Sequence, residues 1–427
     1  MKKYLISVFT SPVFSGSMVM IVGSNATNVI NYLYHLIMGR LLGPASYGEL
    51  ATLISILGLA SMIPFSLGLV IVKFVSSAKN EKETSNLIYF LNKKFFLLGL
   101  GMFLLIFLIS FSLSSFLNIK NPFLLVMIGG TFICSIPALF YRAVLQGLLR
   151  FNQLVISTIG ENLIKLILAI VFVLIGLSIQ GVIIAFIIAS LSGLLISRYF
   201  IQNLKSKRTK DPSSRLSPLI LYSVPILIQS FAMTSLYSSD LILVKHFFST
   251  HDSGLYAALS NLGKIIFFGS GPIAAVMFPM VAKKQTVGES YRKVFLYSFG
   301  LTVIFALFVL LIYWIFPEIA IRALYGSAYL SAASLLFWFG LFMTLFTIAS
   351  LFLSFQLSLG KTWVVIIPLV AATAQMILIW FYHDSLKGVI FISIGVCALL
   401  TICLGVYSLH FGRLAKIQFF QERIKVN

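Results

Sequence analysis

The sequence predicts an all-α polytopic membrane protein with about twelve transmembrane helices in two pseudo-symmetric six-helix bundles. Three observations carry that prediction. Apolar stretches of about 20 residues, almost free of Lys, Arg, Asp and Glu, follow one another with short connections, and that length spans a hydrocarbon core about 30 Å thick. The 427 residues are 59% hydrophobic and 10% charged, with a mean hydropathy of +1.04, against roughly 25% charged residues in soluble domains. Finally, a charged stretch containing Pro and Ser, Lys205 to Pro218, divides the chain in two.

The spans fall in order at 13–38, 47–74, 94–115, 122–145, 153–176 and 181–203, then at 217–247, 254–281, 294–316, 331–357, 363–382 and 388–410. The first begins like a signal peptide with Met1-Lys2-Lys3, but its apolar run continues past Pro12 to Met38 without a convincing cleavage site, so it is read as a helix that stays. The expected domains are an N-terminal lobe over 1–203, a cytoplasmic basic linker over 204–217, and a C-terminal lobe with a cytoplasmic tail over 218–427.

Charge sets the expected orientation. With the N-terminus inside, the cytoplasmic segments collect 24 of the 31 basic residues, among them Lys73, Lys93, Lys94, Arg142, Arg150, Arg198, the run from Lys205 to Arg215, Lys283, Lys284, Arg292, Lys293 and Lys361. The opposite side holds only Arg40, Lys120, Lys245, Arg322 and Lys387, and Lys165 and Lys264 lie within the membrane. The positive-inside rule therefore predicts both termini in the cytoplasm. The same bias accounts for the net charge of +20, so no nucleic-acid partner is expected. Cys134, Cys397 and Cys403 lie in apolar runs without metal-like spacing, which predicts neither disulfides nor a metal site. No phosphate-gripping Gly-x-x-x-x-Gly-Lys-Ser/Thr loop, nucleophile elbow or His-Glu-x-x-His motif occurs, so ATP hydrolysis by this chain is not predicted, and no cofactor is expected. A membrane-bound sugar or acyl transferase would need a substantial outer loop carrying carboxylates or a His, and the outer connections on this topology are short, the longest being residues 317–330.

The halves share a faint repeat. Gly43-Pro44-Ala45-Ser46-Tyr47-Gly48 opens the second span, and Ser253-Gly254-Leu255-Tyr256-Ala257-Ala258 opens the eighth, with Tyr47 and Tyr256 209 positions apart. Ala138-Leu139-Phe140 and Ser350-Leu351-Phe352 match at an offset of 212. Repeated helical lobes are the architecture of transporters that rock about a site between repeats.

Polar groups at membrane depth are costly and mark where function is sought. In the first span Ser24, Asn28, Asn31 and His35 recur at i, i+4, i+7 and i+11, on one helix face. That face serves either interhelical hydrogen bonding or the wall of a hydrophilic cavity. The repeat offset maps Asn31 onto Asp240 and Ser55 onto Lys264, turning a neutral pair into a charged one. Asp240 and Lys264 are equidistant from residue 252 at the turn between their helices, so an ion pair is expected, serving either structure or substrate. Glu161 and Lys165 stand at i, i+4 with Glu nearer the N-terminus, the favourable order for pairing on one helix. Arg142 and Arg150 flank Gln146-Gly147 and are candidates for contacting a phosphate at the cytoplasmic entrance, or for anchoring.

Several segments in chain order resemble the polysaccharide and oligosaccharide flippase branch of the superfamily that also holds multidrug and toxin extruders and lipid II flippases. They are Gly39-Arg40-Leu41-Leu42-Gly43-Pro44-Ala45-Ser46-Tyr47-Gly48; Leu145-Gln146-Gly147-Leu148-Leu149-Arg150-Phe151 followed by Glu161 and Lys165; Asp240 through Tyr256-Ala257-Ala258; Phe278-Pro279; and Leu324-Tyr325-Gly326-Ser327-Ala328-Tyr329. The resemblance implies two six-helix bundles around a central, partly cationic cavity, the fold of the multidrug and toxin extruders. It also implies a non-enzymatic protein of the cell membrane that moves a polyprenyl-diphosphate-linked oligosaccharide from the cytoplasmic to the external leaflet by alternating access, for cell-surface polysaccharide synthesis. Lys165 and Lys264 would balance phosphate charge, and Asn28, Asn31 and His35 would offer hydrogen bonds to sugar. Membrane lipids, a coupling H+ or Na+, and a polysaccharide polymerase are the expected partners, with the chain working as a monomer. Drug extruders carry an acidic residue in the first helix where this chain has only Asn and His, and lipid II flippases have fourteen helices. Both stand as alternatives behind the oligosaccharide reading.

Overall fold

The structure, a computed structural model, describes residues 12–78, 81–204 and 213–426, with side chains described over 18–78, 84–204 and 223–408. The described residues are helical throughout, with no strand. We number the helices α1 (Pro12–Ala60), α2 (Met62–Ser76), α3 (Glu81–Phe116), α4 (Phe123–Gly147), α5 (Phe151–Leu174), α6 (Ser178–Ile201), α7 (Ser213–Leu236), α8 (Ser239–Phe247), α9 (Thr250–Thr286), α10 (Arg292–Ile315), α11 (Pro317–Leu324), α12 (Ala333–Ser358), α13 (Ile366–Phe381) and α14 (Leu386–Val426).

Ten of the described helices are long and apolar enough to cross a bilayer, or eleven if the bent α7–α8 pair counts as one span. The difference from twelve lies in α1. Its 49 residues would extend about 74 Å at 1.5 Å per residue, more than twice a hydrocarbon core. Gly43 breaks it, with φ 70 and ψ 172, a conformation only glycine adopts without strain. Pro44 then restarts the helix, where its missing N–H costs nothing. One segment ends at the predicted turn, and the other continues through Ala60 into α2, so α1 and α2 provide the first two predicted spans.

The chain forms two compact units, one of Met1–Leu227 with Phe248–Gly254 and the other of Ile228–Phe247 with Leu255–Asn427. Most of the predicted basic linker, residues 205–212, lies outside the described residues, and its remainder from Ser213 is already helix. In the first unit α5 packs on α6 and α1, and α4 packs on α3, α6 and α2. Its core gathers Phe74, Phe95, Phe132, Phe140 and Leu145, with Phe95 and Phe140 stacked at 4.8 Å. In the second unit α12 packs on α14 and α10, and α13 on α14. There Phe295 lies on Phe355, 4.2 Å between ring centres, beside Met277 and Leu351. Outward faces stay apolar, as at Leu104, Leu105, Leu108 and Phe111 on α3. Lipid is as apolar as these side chains, so helix association here rests on close packing and buried hydrogen bonds rather than on exclusion of water.

Candidate functional site

In the first unit the polar face of α1 meets α5. The Lys165 ammonium donates to Asn31 Oδ1 at 2.5 Å and to Asn162 Oδ1 at 2.9 Å. Both amides are oriented for this, because Asn31 Nδ2 donates to the Thr27 carbonyl at 3.1 Å and Asn162 Nδ2 to the Thr158 carbonyl at 2.8 Å, leaving their oxygens to the lysine. Ring faces complete the surround, with Lys165 Nζ 5.1 Å from the Tyr34 ring centre and 5.2 Å from that of Phe186. Such contacts are worth roughly 0.5–2 kcal/mol each. One turn beyond Asn31, His35 Nδ1 lies 3.2 Å from the hydroxyl of buried Tyr47. Ser24 and Asn28, on the same face, are exposed. The Tyr34 hydroxyl is buried and makes no hydrogen bond among the described residues.

The expected Glu161–Lys165 pair along α5 is not formed. Glu161 instead pairs across helices with Arg142 of α4, which also donates from Nε to Ser157 Oγ and from Nη2 to the Ser157 carbonyl, both at 3.0 Å. The close approach of α6 explains the choice. A Cβ on Gly193 would overlap Glu161 Oε2 and lie 2.6 Å from Arg142 Nη2, so the carboxylate is confined to the Arg142 side while Lys165, one turn on, faces Asn31. Arg142 is therefore a tie between α4 and α5 within the unit, its side chain only 18% exposed. Arg150 donates to the Phe200 carbonyl at 3.3 Å and ties the start of α5 to α6.

The second unit resolves its charges differently. The predicted span 217–247 is broken, with α7 and α8 meeting at a bend of 43°. Non-helical backbone at membrane depth persists only where protein or a cavity satisfies it. Ser238-Ser239-Asp240 restarts the helix with residues suited to an N-terminus, and Asp240 Oδ1 accepts the Leu241 N–H at 2.8 Å. Asp240 is fully buried, and the Tyr256 hydroxyl donates to its Oδ2 at 2.8 Å. Behind them Gln375 Nε2 donates to Ser393 Oγ at 2.8 Å, while the Gln375 carbonyl oxygen is buried and accepts no hydrogen bond among the described residues. Half-buried Lys264 lies with its ammonium 5.2 Å from the Tyr237 ring centre.

The expected Asp240–Lys264 ion pair is thus not made within 4.0 Å, although the two groups remain in Coulombic range. Equal distance from residue 252 implies equal depth only on straight helices, and the bend before Asp240 removes that equality. Lys245, expected at the outer surface, is fully buried in α8.

The structure therefore brings Asn31 and Lys165 together, separates Glu161 from Lys165, and leaves Asn28 at the surface. Ring partners Tyr34, Phe186 and Tyr237, and the Ser157 hydroxyl, went unnoticed in the sequence, which marked Tyr256 only as a repeat position and a family match. Ser238-Ser239-Asp240 inside an apolar span was the readable sign of the break. No group of three or more His, Cys, Asp and Glu able to hold a metal occurs among the described residues.

Comparison with known proteins agrees with this architecture. The profile of the family described as "Polysaccharide biosynthesis protein" matches residues 13–285. An uncharacterized membrane protein of Methanocaldococcus jannaschii, MJ1375, is 27% identical over 315 residues, 70% of this chain and 73% of the relative. Among solved structures, the inward-facing conformation of a multidrug resistance MATE family transporter of the MOP superfamily superposes with TM-score 0.73 at 14% identity, covering 91% of this chain and 94% of that one. The lipid II flippase MurJ, in an inward closed conformation, gives 0.68 at 15% identity, covering 91% and 87%. The chain belongs to the polysaccharide biosynthesis protein family and has the fold of these membrane transporters.

Proposed function

We propose that the chain is a flippase that carries a polyprenyl-diphosphate-linked oligosaccharide from the cytoplasmic to the external leaflet of the cell membrane by alternating access. One observation carries the reading: Lys165 places an ammonium at membrane depth between two neutral amides, with no carboxylate in ion-pair contact among the described residues. A cation held this way is stabilised by hydrogen bonds yet keeps its charge available for an anion, whereas a lysine paired with a carboxylate would not. Asn28 and Ser24, exposed on the same helix face, suit sugar hydroxyls. Lys264 supplies a second intramembrane cation in the other unit. The diphosphate and sugar need shielding from hydrocarbon while the polyprenyl chain stays in lipid. The family description and the fold shared with a lipid II flippase support a flippase over an enzyme. Both termini are placed in the cytoplasm by the basic bias. A gradient of H+ or Na+, or consumption of product by a polymerase on the far side, supplies the driving force, and one chain suffices.

The test is transbilayer movement in proteoliposomes of a polyprenyl-diphosphate-linked oligosaccharide, with a cationic dye under a proton or sodium gradient in parallel. Movement of the sugar lipid that falls at least tenfold in Lys165→Gln, with the variant still folded, is the expected result. Dye movement alone would assign the chain to drug export instead.

A further inference from the structure

The two ends of the second unit differ in charge. The connections after α10 and after α13 are balanced, Glu318 against Arg322 and Asp384 against Lys387. At the other end, which the basic bias assigns to the cytoplasm, the connections after α9 and after α12 hold Lys283, Lys284, Arg292, Lys293 and Lys361 against the single carboxylate of Glu289. That carboxylate is taken by Lys284 at 2.7 Å. Lys283, Arg292 and Lys293 are exposed and make no ion pair among the described residues. The two connections form one surface. Gln285 Nε2 donates to the Leu359 carbonyl at 3.2 Å, and Tyr291 and Phe295 pack on Phe355 with ring centres 5.9 and 4.2 Å apart. A reversal at Gly360, φ 74, then brings Lys361 beside α14, its ammonium 5.5 Å from the Tyr407 ring centre. Burial there lowers the Lys361 ammonium below the ordinary lysine value, a cost that a neighbouring anion offsets.

Trp363 sets the depth of this surface. At 81% exposure it is the most exposed of the described large apolar side chains. It begins an apolar stretch of 20 residues, Thr362–Phe381, about 30 Å long at 1.5 Å per residue and so matched to a hydrocarbon core. Trp380 and Tyr382 stand exposed at the far end of that stretch. Along α10 the pattern recurs, with Tyr297 exposed near its start and Trp314 near its end. Aromatic side chains with a polar tip at both ends of a span mark the two headgroup levels. Lys361, two residues before Trp363, and the connection fastened to Leu359 therefore lie among lipid headgroups. An acidic protein segment would meet the cations but leave Trp363 and the exposed Leu296 and Ile366 uncovered. A zwitterionic headgroup would cover the rings and leave the charge unbalanced.

We infer that this surface of the second unit binds the headgroup of an anionic glycerophospholipid of the cytoplasmic leaflet, with Lys283, Arg292, Lys293 and Lys361 balancing its charge and Trp363 seated at the top of its acyl chains. The lipid is a resident of the bilayer and not cargo, so the inference stands whether or not the transport reading does.

The experiment uses the full chain with Trp314, Trp338 and Trp380 changed to Phe, which leaves Trp363 as its one tryptophan. It is placed in phosphatidylcholine vesicles carrying a minor fraction of either brominated phosphatidylglycerol or brominated phosphatidylcholine, whose chains quench a tryptophan they touch. At equal fraction the brominated phosphatidylglycerol is expected to quench Trp363 about threefold more strongly. That preference should fade as salt rises from about 0.05 M to about 0.5 M, which screens headgroup attraction. Changing Lys283, Arg292, Lys293 and Lys361 together to Gln should abolish it, while Lys283→Arg, Arg292→Lys, Lys293→Arg and Lys361→Arg together should keep it, with thermal melts establishing that both variants are folded. A chain keeping Trp314 as its one tryptophan should be quenched equally by the two lipids. Equal quenching of Trp363 at low salt, or a preference that persists in the folded Gln variant, overturns the inference. Equal quenching together with a shift of Trp363 emission on adding a soluble oligoglutamate peptide would overturn it in favour of an acidic protein segment.

Discussion

Tyr47 and Tyr256 sit 209 positions apart at the same place in the two halves, both fully buried, and each reaches back to a polar group on an earlier helical segment. Tyr47 meets His35, and Tyr256 meets Asp240, the counterpart of Asn31 in the repeat. The tyrosine's partner has shifted by one helical turn between the units. In the first unit that shift leaves Asn31 to Lys165, so a cation sits among neutral groups. In the second, the tyrosine takes the carboxylate itself and Asp240 is enclosed. The same scaffold thus offers an addressable amine in one unit of the repeat and a caged carboxyl group in the other, and the difference comes from which residue one tyrosine hydroxyl finds.

The largest effect should come from the tie that keeps Glu161 away from Lys165. Arg142→Met leaves Glu161 without its cross-helix partner and is expected to destabilise the protein by about 3 kcal/mol, with Glu161→Gln added to it recovering more than half, since an unpaired carboxylate, half-buried between helices, is the costly species. Denaturant unfolding of the singles and the double measures it. A double variant as unstable as Arg142→Met would show that packing, not charge, makes the tie.

Next comes the tyrosine comparison itself. Tyr256→Phe removes a donor to a carboxyl group and should cost about 1.5–3 kcal/mol, whereas Tyr47→Phe removes its hydrogen bond with the His35 ring and should cost about 1 kcal/mol. Equal losses would mean that Asp240 is not the more demanding acceptor, and the contrast between the units would fail. Asp240→Asn with Tyr256 retained sharpens it further: the second unit then carries the first unit's residue, and the Tyr256→Phe penalty should drop to about that of Tyr47→Phe.

How far all this could be read from the chain follows from the range of each interaction. Apolar run length and the basic bias act residue by residue, so the spans and the Gly43-Pro44 turn were legible. Asn31, Lys165, Asp240 and Lys264 were legible as candidates because ionisable and amide groups are rare in apolar helices. Their partners were not. Glu161 and Lys165 satisfy the i, i+4 rule, but Arg142 on another helix competes and wins once Gly193 brings α6 close, a contact between positions 51 residues apart in sequence. The Asp240–Lys264 expectation assumed straight helices, and the Ser-rich break at Tyr237-Ser238 removed that assumption. The repeat offset located equivalent positions without showing that their hydrogen bonds had shifted by one turn.

The smallest effect provides a baseline for the intramembrane charges. Lys284 at the end of α9 donates to Glu289 at 2.7 Å in an exposed connection. That hydrogen bond, with the ammonium's charge, holds the Glu289 carboxyl below its ordinary value. A depressed carboxylate contributes stability above its unfolded value of about 4.3, and the contribution is lost as pH falls through the lower folded value. The sign is therefore the same as for any paired carboxylate, but solvent and salt screen the pair and both side chains give up rotamer freedom to make it. Glu289→Gln should accordingly melt with the parent protein from pH 7 down to pH 3, within the error of a scanning measurement. Glu161→Gln, which removes a carboxylate beside Arg142 in the membrane-spanning part of the first unit, should shift the melt clearly at pH 7. If the exposed substitution moved the melting temperature as far as the intramembrane one, burial would not be what gives the Arg142–Glu161 tie its weight, and the contrast between enclosed and addressable charge would lose its physical basis.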